Sequence, residues 1–201
     1  MYVRDAKNRE EVWLLDHIES MGLDETAFRS RDYVIAVDEL SNEKAGFGRI
    51  RIHRVSADRD ESDEPTEYCE LTSIGVLEGW RGQGVGAHVI ERLIEYASDE
   101  GFDTVYTLTG EGSYLAQFGF RRIDESNLPD PLQTRLESKR EGVDPDAVPY
   151  ALEVDRFRMP AALREAFKRA PEGDDEVSTD DAPEDFGIDP DSATYKYDTG
   201  G

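Results

Sequence analysis

Between Val76 and Ala87 the chain reads Val-Leu-Glu-Gly-Trp-Arg-Gly-Gln-Gly-Val-Gly-Ala, a glycine-rich turn that follows an apolar run and opens an amphipathic segment. Val85, Val89, Ile90, Leu93, Ile94 and Ala97 recur at three- and four-residue spacing, with Glu91, Arg92, Glu95, Ser98 and Asp99 between them, which predicts a half-buried helix from Val85 to Glu100. The first turn of such a helix has unpaired N–H groups at the positive end of its dipole, so it favours an anion. Gly82, Gly84 and Gly86 carry no Cβ and let phosphate oxygens approach the backbone, while Arg81 adds a fixed positive charge at the entrance.

Spacing decides which phosphate loop this is. A nucleoside-triphosphate loop needs Gly-x-x-x-x-Gly-Lys-Ser/Thr, and the turn holds no lysine. The dinucleotide fingerprint Gly-x-Gly-x-x-Gly/Ala is matched by Gly82, Gly84 and Ala87, with Glu111 downstream as a candidate ribose acid. Its first glycine should come directly off the strand, however, and Leu77 to Arg81 intervene. A third pattern, Arg/Gln-x-x-Gly-x-Gly/Ala, is met in full by Arg81, Gly84 and Gly86.

Three further segments stand around that turn in a fixed order: the apolar strand Glu70–Val76, a short strand Thr104–Thr107, and the aromatic run Tyr114–Phe120 that closes on Gly119-Phe120. With these, the sequence resembles the GNAT superfamily of N-acetyltransferases over roughly residues 1–120. The resemblance implies a mixed α/β fold: one strongly twisted, mostly antiparallel sheet, helices on both faces and a central strand pair that splays apart. It implies acetyl-CoA as co-substrate, with the pyrophosphate on Arg81, Gly82, Gln83, Gly84, Val85 and Gly86. The thioester carbonyl would lie on backbone N–H groups around Ile74 and Val76, with Gly75 easing a bend. An extended ligand in the splayed gap satisfies edge N–H and C=O groups that would otherwise be unpaired.

Direct acetyl transfer to an amine needs a base for the amine's proton, a polarised carbonyl and a proton for the departing thiolate. The resemblance places the base at Glu70. The family's tyrosine acid would fall at Leu115; Tyr114 stands one residue earlier, a turn of about 100° on a helix. Tyr114 is therefore a candidate acid and equally a packing partner of Phe118 and Phe120, and water can protonate a thiolate of low basicity. A large apolar residue at 115, then Asn127-Leu128-Pro129 and Arg135 to Lys139, resembles the acetyltransferase domain of N-acetylglutamate synthases and related amino-acid acetyltransferases. On that likeness Arg135 or Lys139 meets a substrate carboxylate; otherwise a helix over residues 131–140 simply carries solvated bases. Acetylation of a protein N-terminus or a small amine is the alternative within the family, and an acyl-CoA-binding sensor without turnover is the alternative outside it. A homodimer is compatible with either.

Other chemistry is thinly represented. Cys69 reads as a buried small hydrophobe, since direct transfer needs no nucleophile. His17, His53 and His88 lack metal-ligand spacing, so no metal is expected, and His88 is expected on the helix surface.

The elements that must position this chemistry can be read along the chain. An edge strand at Tyr2–Arg4 leads to a helix marked by Val12, Leu14, Leu15, Ile18 and Met21 that stops at Gly22. A short helix is expected over Asp24–Arg29, then the strand Tyr33–Val37, a turn at Ser41–Lys44, the strand Ala45–Arg54 and an acidic loop Ser56–Glu67. Later come a strand at Tyr150–Val154 and a helix begun by Pro160.

A chain of 201 residues holds one sizeable core, expected as a domain over residues 1–170 and an acidic tail over residues 171–201. The tail's Phe186-Gly-Ile188 and Tyr195-Lys-Tyr197 interrupt its polar composition. The charge of −23 argues against nucleic acid and anionic membranes as partners. Residues 171–201 hold 11 acids and 1 base, leaving 35 acids and 22 bases for the rest, so the body is acidic too. That balance, with 18 Arg and 5 Lys, resembles proteins that work in molar salt, where a Debye length of about 3 Å screens self-repulsion. A lone cysteine and the lack of an apolar leader point to a reduced, cytoplasmic protein.

Overall fold

A computed structural model describes residues 1–55 and 65–170. Seven strands form one sheet in the order β1-β2-β3-β4-β5-β7-β6, where β1 is Tyr2–Asp5, β2 Tyr33–Val37, β3 Lys44–Val55, β4 Thr66–Val76, β5 Thr104–Thr109, β6 Arg121–Arg122 and β7 Val148–Glu153. Among the described residues only the β4–β5 pair is parallel; every other neighbouring pair is antiparallel. The helices are α1 (Glu11–Ser20), α2 (Val85–Asp99), the single turn α3 (Gly112–Leu115), α4 (Asp130–Glu141) and α5 (Ala161–Arg169).

Period-two alternation divides the core. In β2, Val34 and Ala36 join a cluster with Val89, Ile90 and Leu93 of α2, while Tyr33, Ile35 and Val37 join Leu14 and Ile18 of α1. The sheet is thus covered on both faces. Fully burying each of these large apolar side chains contributes about 1.5–3 kcal/mol. A third cluster joins Leu132 and Leu136 of α4 to Leu108 of β5.

Two expected elements differ. Residues Asp24–Arg29 form no helix: the Leu23 N–H donates back to the Ile18 carbonyl at 2.9 Å and closes α1, and the Asp24 carboxylate accepts from the Thr26 N–H at 3.0 Å. That local side-chain bond favours a turn over a helix, and Ala27 follows at φ +53°. The acidic loop also ends earlier than expected, because Thr66 and Glu67 already pair with Val55 and Arg54 of β3. Residues 56–64 and the tail motifs at 186–188 and 195–197 lie outside the described residues.

The centre of the sheet is bent at one place. Arg49 faces Thr72 and Phe47 faces Gly75, so β4 carries a bulge across Ser73 and Ile74, with Ser73 at φ +48°. Its hydroxyl donates to the Asp24 carbonyl at 2.6 Å. β4 and β5 pair only through Cys69 with Val105 and Glu70 with Tyr106, then part as β4 continues to Val76 and β5 to Thr109.

Candidate functional site

Two halves of a site lie along β4, one at its C-terminal end and one at the fork. At the end, Val76 leads through a 3₁₀ turn, Glu78–Trp80, to Gly82 at φ +77° and Gly84 at φ +76°, the N-cap of α2. The first bond of the helix runs from the His88 N–H to the Gly84 carbonyl at 3.2 Å, so the N–H groups ahead of it have no partner one turn back. Arg81 Nε donates to the Val76 carbonyl and the Gln83 amide to the Gly79 carbonyl, which fixes the turn from within.

The three glycines do different work. A Cβ on Gly82 would meet nothing within 4 Å, which leaves that side of the turn open to a ligand. A Cβ on Gly84 would stand 2.3 Å from the Leu163 carbonyl oxygen of α5, so its bareness serves helix packing as well as conformation. On Gly86 it would approach Val76 and, at 3.6 Å, the Tyr114 hydroxyl. The open turn and the donors of α2 fit a pyrophosphate.

Gly75, expected to ease the bend, instead makes room: a Cβ there would lie 2.7 Å from Met21 Sδ and 2.8 Å from Phe47 Cζ, and the bend belongs to Ser73. His88, expected at the surface, is half-buried and stacks on Phe167 of α5 at 3.7 Å. Burial lowers its proton affinity.

The second half is built from side chains. A cavity of about 290 Å³ is lined by Asp24, Arg51, His53, Arg135, Ser138 and Lys139, among others. Behind its wall Glu70 is 0% exposed. Glu70 Oε2 is 2.7 Å from His53 Nε2 and accepts from Arg135 Nε at 3.3 Å, while Oε1 is enclosed without a partner among the described residues. Arg135 reaches the Asp24 carboxylate with Nη2. One guanidinium thus bridges two buried carboxylates, and removing it would strand both charges.

Arg135 and Lys139, one helical turn apart on α4, are buried rather than solvated. Lys139 Nζ donates to the Leu108 carbonyl of β5 at 2.6 Å and to Thr72 Oγ1 of β4 at 3.3 Å, directly in the fork between the strands. Burial lowers the proton affinity of this ammonium, with Glu70 opposing the shift. Both cations already have protein partners. Arg51, directly opposite Glu70 across the β3–β4 ladder, encloses its Nη1 without an acceptor among the described residues.

Cys69 is buried, and burial followed by the charge of Glu70 pushes its thiol up to about 12, which makes it inert as a nucleophile. Tyr114 is 42% exposed and packs edge-on to Phe118 at 5.3 Å; Leu115, beside it, is buried in the core. Tyr114 stands by the start of α2 and is not among the residues lining the cavity. Its hydroxyl holds its proton more tightly than usual because it is partly buried.

The sequence alone missed Asp24, Arg51 and His53. A signal existed for two of them: Arg49, Arg51 and His53 alternate with Ile50 and Ile52, which puts three bases on one strand face. Nothing local marked Asp24, whose role depends on the turn that replaces the expected helix. No cluster of potential metal ligands occurs among the described residues.

Comparison with known proteins agrees with this architecture. An uncharacterized N-acetyltransferase of Chlorobaculum tepidum is 29% identical over 66 residues, 33% of this chain and 43% of the relative. The fold matches an N-acetylglutamate synthase of Neisseria gonorrhoeae, solved with coenzyme A and N-acetyl-glutamate, at TM-score 0.57 and 17% identity over 76% of this chain and 34% of that one. It also matches a Mycobacterium tuberculosis protein solved in complex with CoA, at TM-score 0.59 and 16% identity over 76% of this chain and 99% of that one. This chain therefore spans less than half the length of two of these three relatives. The sequence model of the acetyltransferase (GNAT) family matches residues 3–120, from β1 to the Gly119-Phe120 pair, and the chain belongs to that family.

Proposed function

We propose that the protein transfers an acetyl group from acetyl-CoA to the α-amine of an amino acid, by direct attack in a ternary complex. The observation that carries this reading is the pairing of two unsatisfied buried groups, Glu70 Oε1 and Arg51 Nη1, on residues directly opposite each other, Arg51 lining the cavity and Glu70 just behind its wall. Buried polar atoms without partners are rare and call for a ligand or an ordered water. Facing residues of a ladder have Cβ atoms about 5 Å apart, a separation suited to a molecule with a carboxylate and an ammonium on one carbon. Arg51 would hold the carboxylate, and the Glu70 carboxylate would draw the proton from the amine. Arg135, already held by Asp24, would keep Glu70 in place.

Acetyl-CoA supplies the activated acetyl group as a thioester. The N–H groups of Gly82, Gln83, Gly84, Val85 and Gly86, with Arg81, would hold its pyrophosphate at the start of α2. Backbone donors at Ile74, in the bulge, and Val76, beyond it, would polarise the carbonyl. Lys139 ties Thr72 to Leu108 and so shapes the fork into which the acyl arm would fit. The proton for the leaving sulfur would come from water, with Tyr114 as the alternative donor.

The test is thiol release from acetyl-CoA at high KCl with a panel of amino acids, polyamines and peptides. Amino acids should turn over, and Arg51→Met should raise KM for the amino acid about 10- to 100-fold, the loss of one charge-assisted bond, with acetyl-CoA affinity unchanged. Binding of acetyl-CoA without turnover on any acceptor would instead identify a sensor. Preference for peptides or polyamines would move the acceptor class within the family.

A further inference from the structure

Glu70 has no contact with solvent. His53 does: its side chain is 10% exposed, lines the cavity and places Nε2 2.7 Å from Glu70 Oε2. Arg135, the other partner of Glu70, neither accepts nor releases a proton at working pH. We infer that His53 is the side chain that takes the proton from the acceptor amine, with Glu70 acting through it as the group that orients and charges the imidazole. The inference rests on the acetyl-transfer reading above and changes which atom meets the amine.

The chemistry follows from the ring. Toward an ionised carboxylate, imidazole presents Nε2–H as a donor, which leaves a lone pair on Nδ1. A base oriented by a third group through its other nitrogen is the general arrangement for proton abstraction. Acetyl transfer to an alkylammonium forms one C–N bond and breaks one C–S bond, whose electron pair goes to sulfur. The ammonium gives up two protons, one of which ends on the thiol and one in bulk water. A fully enclosed carboxylate cannot return a proton to water by itself. His53 can, by accepting it on Nδ1, holding it as imidazolium against Glu70, and releasing it at the cavity.

The charged and titratable groups around His53 come from four parts of the chain. Glu70 and the cross-strand neighbour Tyr68 belong to β4, Arg51 to its own strand, Arg135 and Lys139 to α4, and Asp24 to the turn after α1. Among them, Glu70 touches the ring.

Three variants test the inference: His53→Ala, His53→Gln and Glu70→Gln. His53→Ala should lower kcat about 10²- to 10⁴-fold, with acetyl-CoA binding by calorimetry unchanged as the check on folding. Added imidazole should restore part of the rate, and the acid limb of the pH profile should then follow the basicity of the imidazole supplied. His53→Gln, which keeps a donor to Glu70 but cannot titrate, should be as slow as His53→Ala and not be rescued. Independently of turnover, ¹⁵N shifts of the wild-type ring should show Nε2 protonated and Nδ1 bare in the neutral form. A neutral ring protonated at Nδ1, or His53→Gln with the wild-type rate and pH profile, would overturn the role of His53. Loss of activity in Glu70→Gln alone would then leave Glu70 as the direct base, whereas normal rates in both Glu70→Gln and His53→Gln would remove the base from this cavity altogether.

Discussion

The turn at Gly82–Gly86 and the cavity in front of Glu70 are built on opposite principles. The turn offers backbone N–H groups, needs bareness more than side chains, and occupies one short stretch of sequence. The cavity offers side chains from the segment after α1, from β3 and from α4, and His53, Arg135 and Lys139 each find their partners far along the chain. A site of the first kind tolerates truncation and resists addition; a site of the second kind does the reverse.

That contrast sets the order of expected effects. Arg135→Met leaves Asp24 and Glu70 buried without their shared cation, and should cost about 3–5 kcal/mol of stability, read as the shift in urea midpoint. If Arg135→Met is as stable as the parent, the cavity is not held by its charges. Gly84→Ala comes next at about 3 kcal/mol, because the methyl group meets the Leu163 carbonyl and the left-handed φ is penalised as well. Gly82→Ala shares the left-handed φ but faces open space, so it should lose only about 1 kcal/mol of stability, and a larger share of its acetyl-CoA affinity. Equal destabilisation at the two glycines would show that packing under α5 does not distinguish them. Gln83→Ala should change stability by less than about 0.5 kcal/mol.

A control lies outside both regions. Glu10 accepts from Arg4 at 2.7 and 2.8 Å and from the Lys7 N–H at 2.8 Å, and these hold its carboxyl at about 2. A carboxyl depressed on folding stabilises above its unfolded value of 4.5, and that contribution is lost as pH falls from there towards 2. Glu10→Gln should therefore flatten the acid branch of the stability curve between these values, with little change in acetyl-CoA binding. The most diffuse effect is that of salt: with a net charge of −23, Tm should rise with added KCl. A flat response would mark the acidity as unrelated to salt.

Legibility differed between the two regions for the same reason. The bounds of β2, the length of α2 and the order from β4 through the turn to Gly119-Phe120 all follow from local periodicity and glycine spacing, because their determinants are neighbours in the chain. Arg135 and Lys139 could be picked out as candidates on α4, but not their burial: the helix is poor in apolar residues, and only the fork between β4 and β5 shows why two cations lie inside. His88 misled in the opposite direction, since α5, which covers it, is distant in sequence.

By itself, then, the sequence determined a glycine turn at the start of α2 and the family's order of elements, since helix termini and glycine turns are local objects. The tertiary structure decided which charges meet. Glu70 finds His53 through the pairing of β3 with β4, Arg135 finds Asp24 where Ser73 pins the turn after α1, and Arg51 faces the cavity with Nη1 unpaired among the described residues. Ion pairs between side chains depend on distances across the fold, and spacing along a chain carries no record of them until the strands are paired.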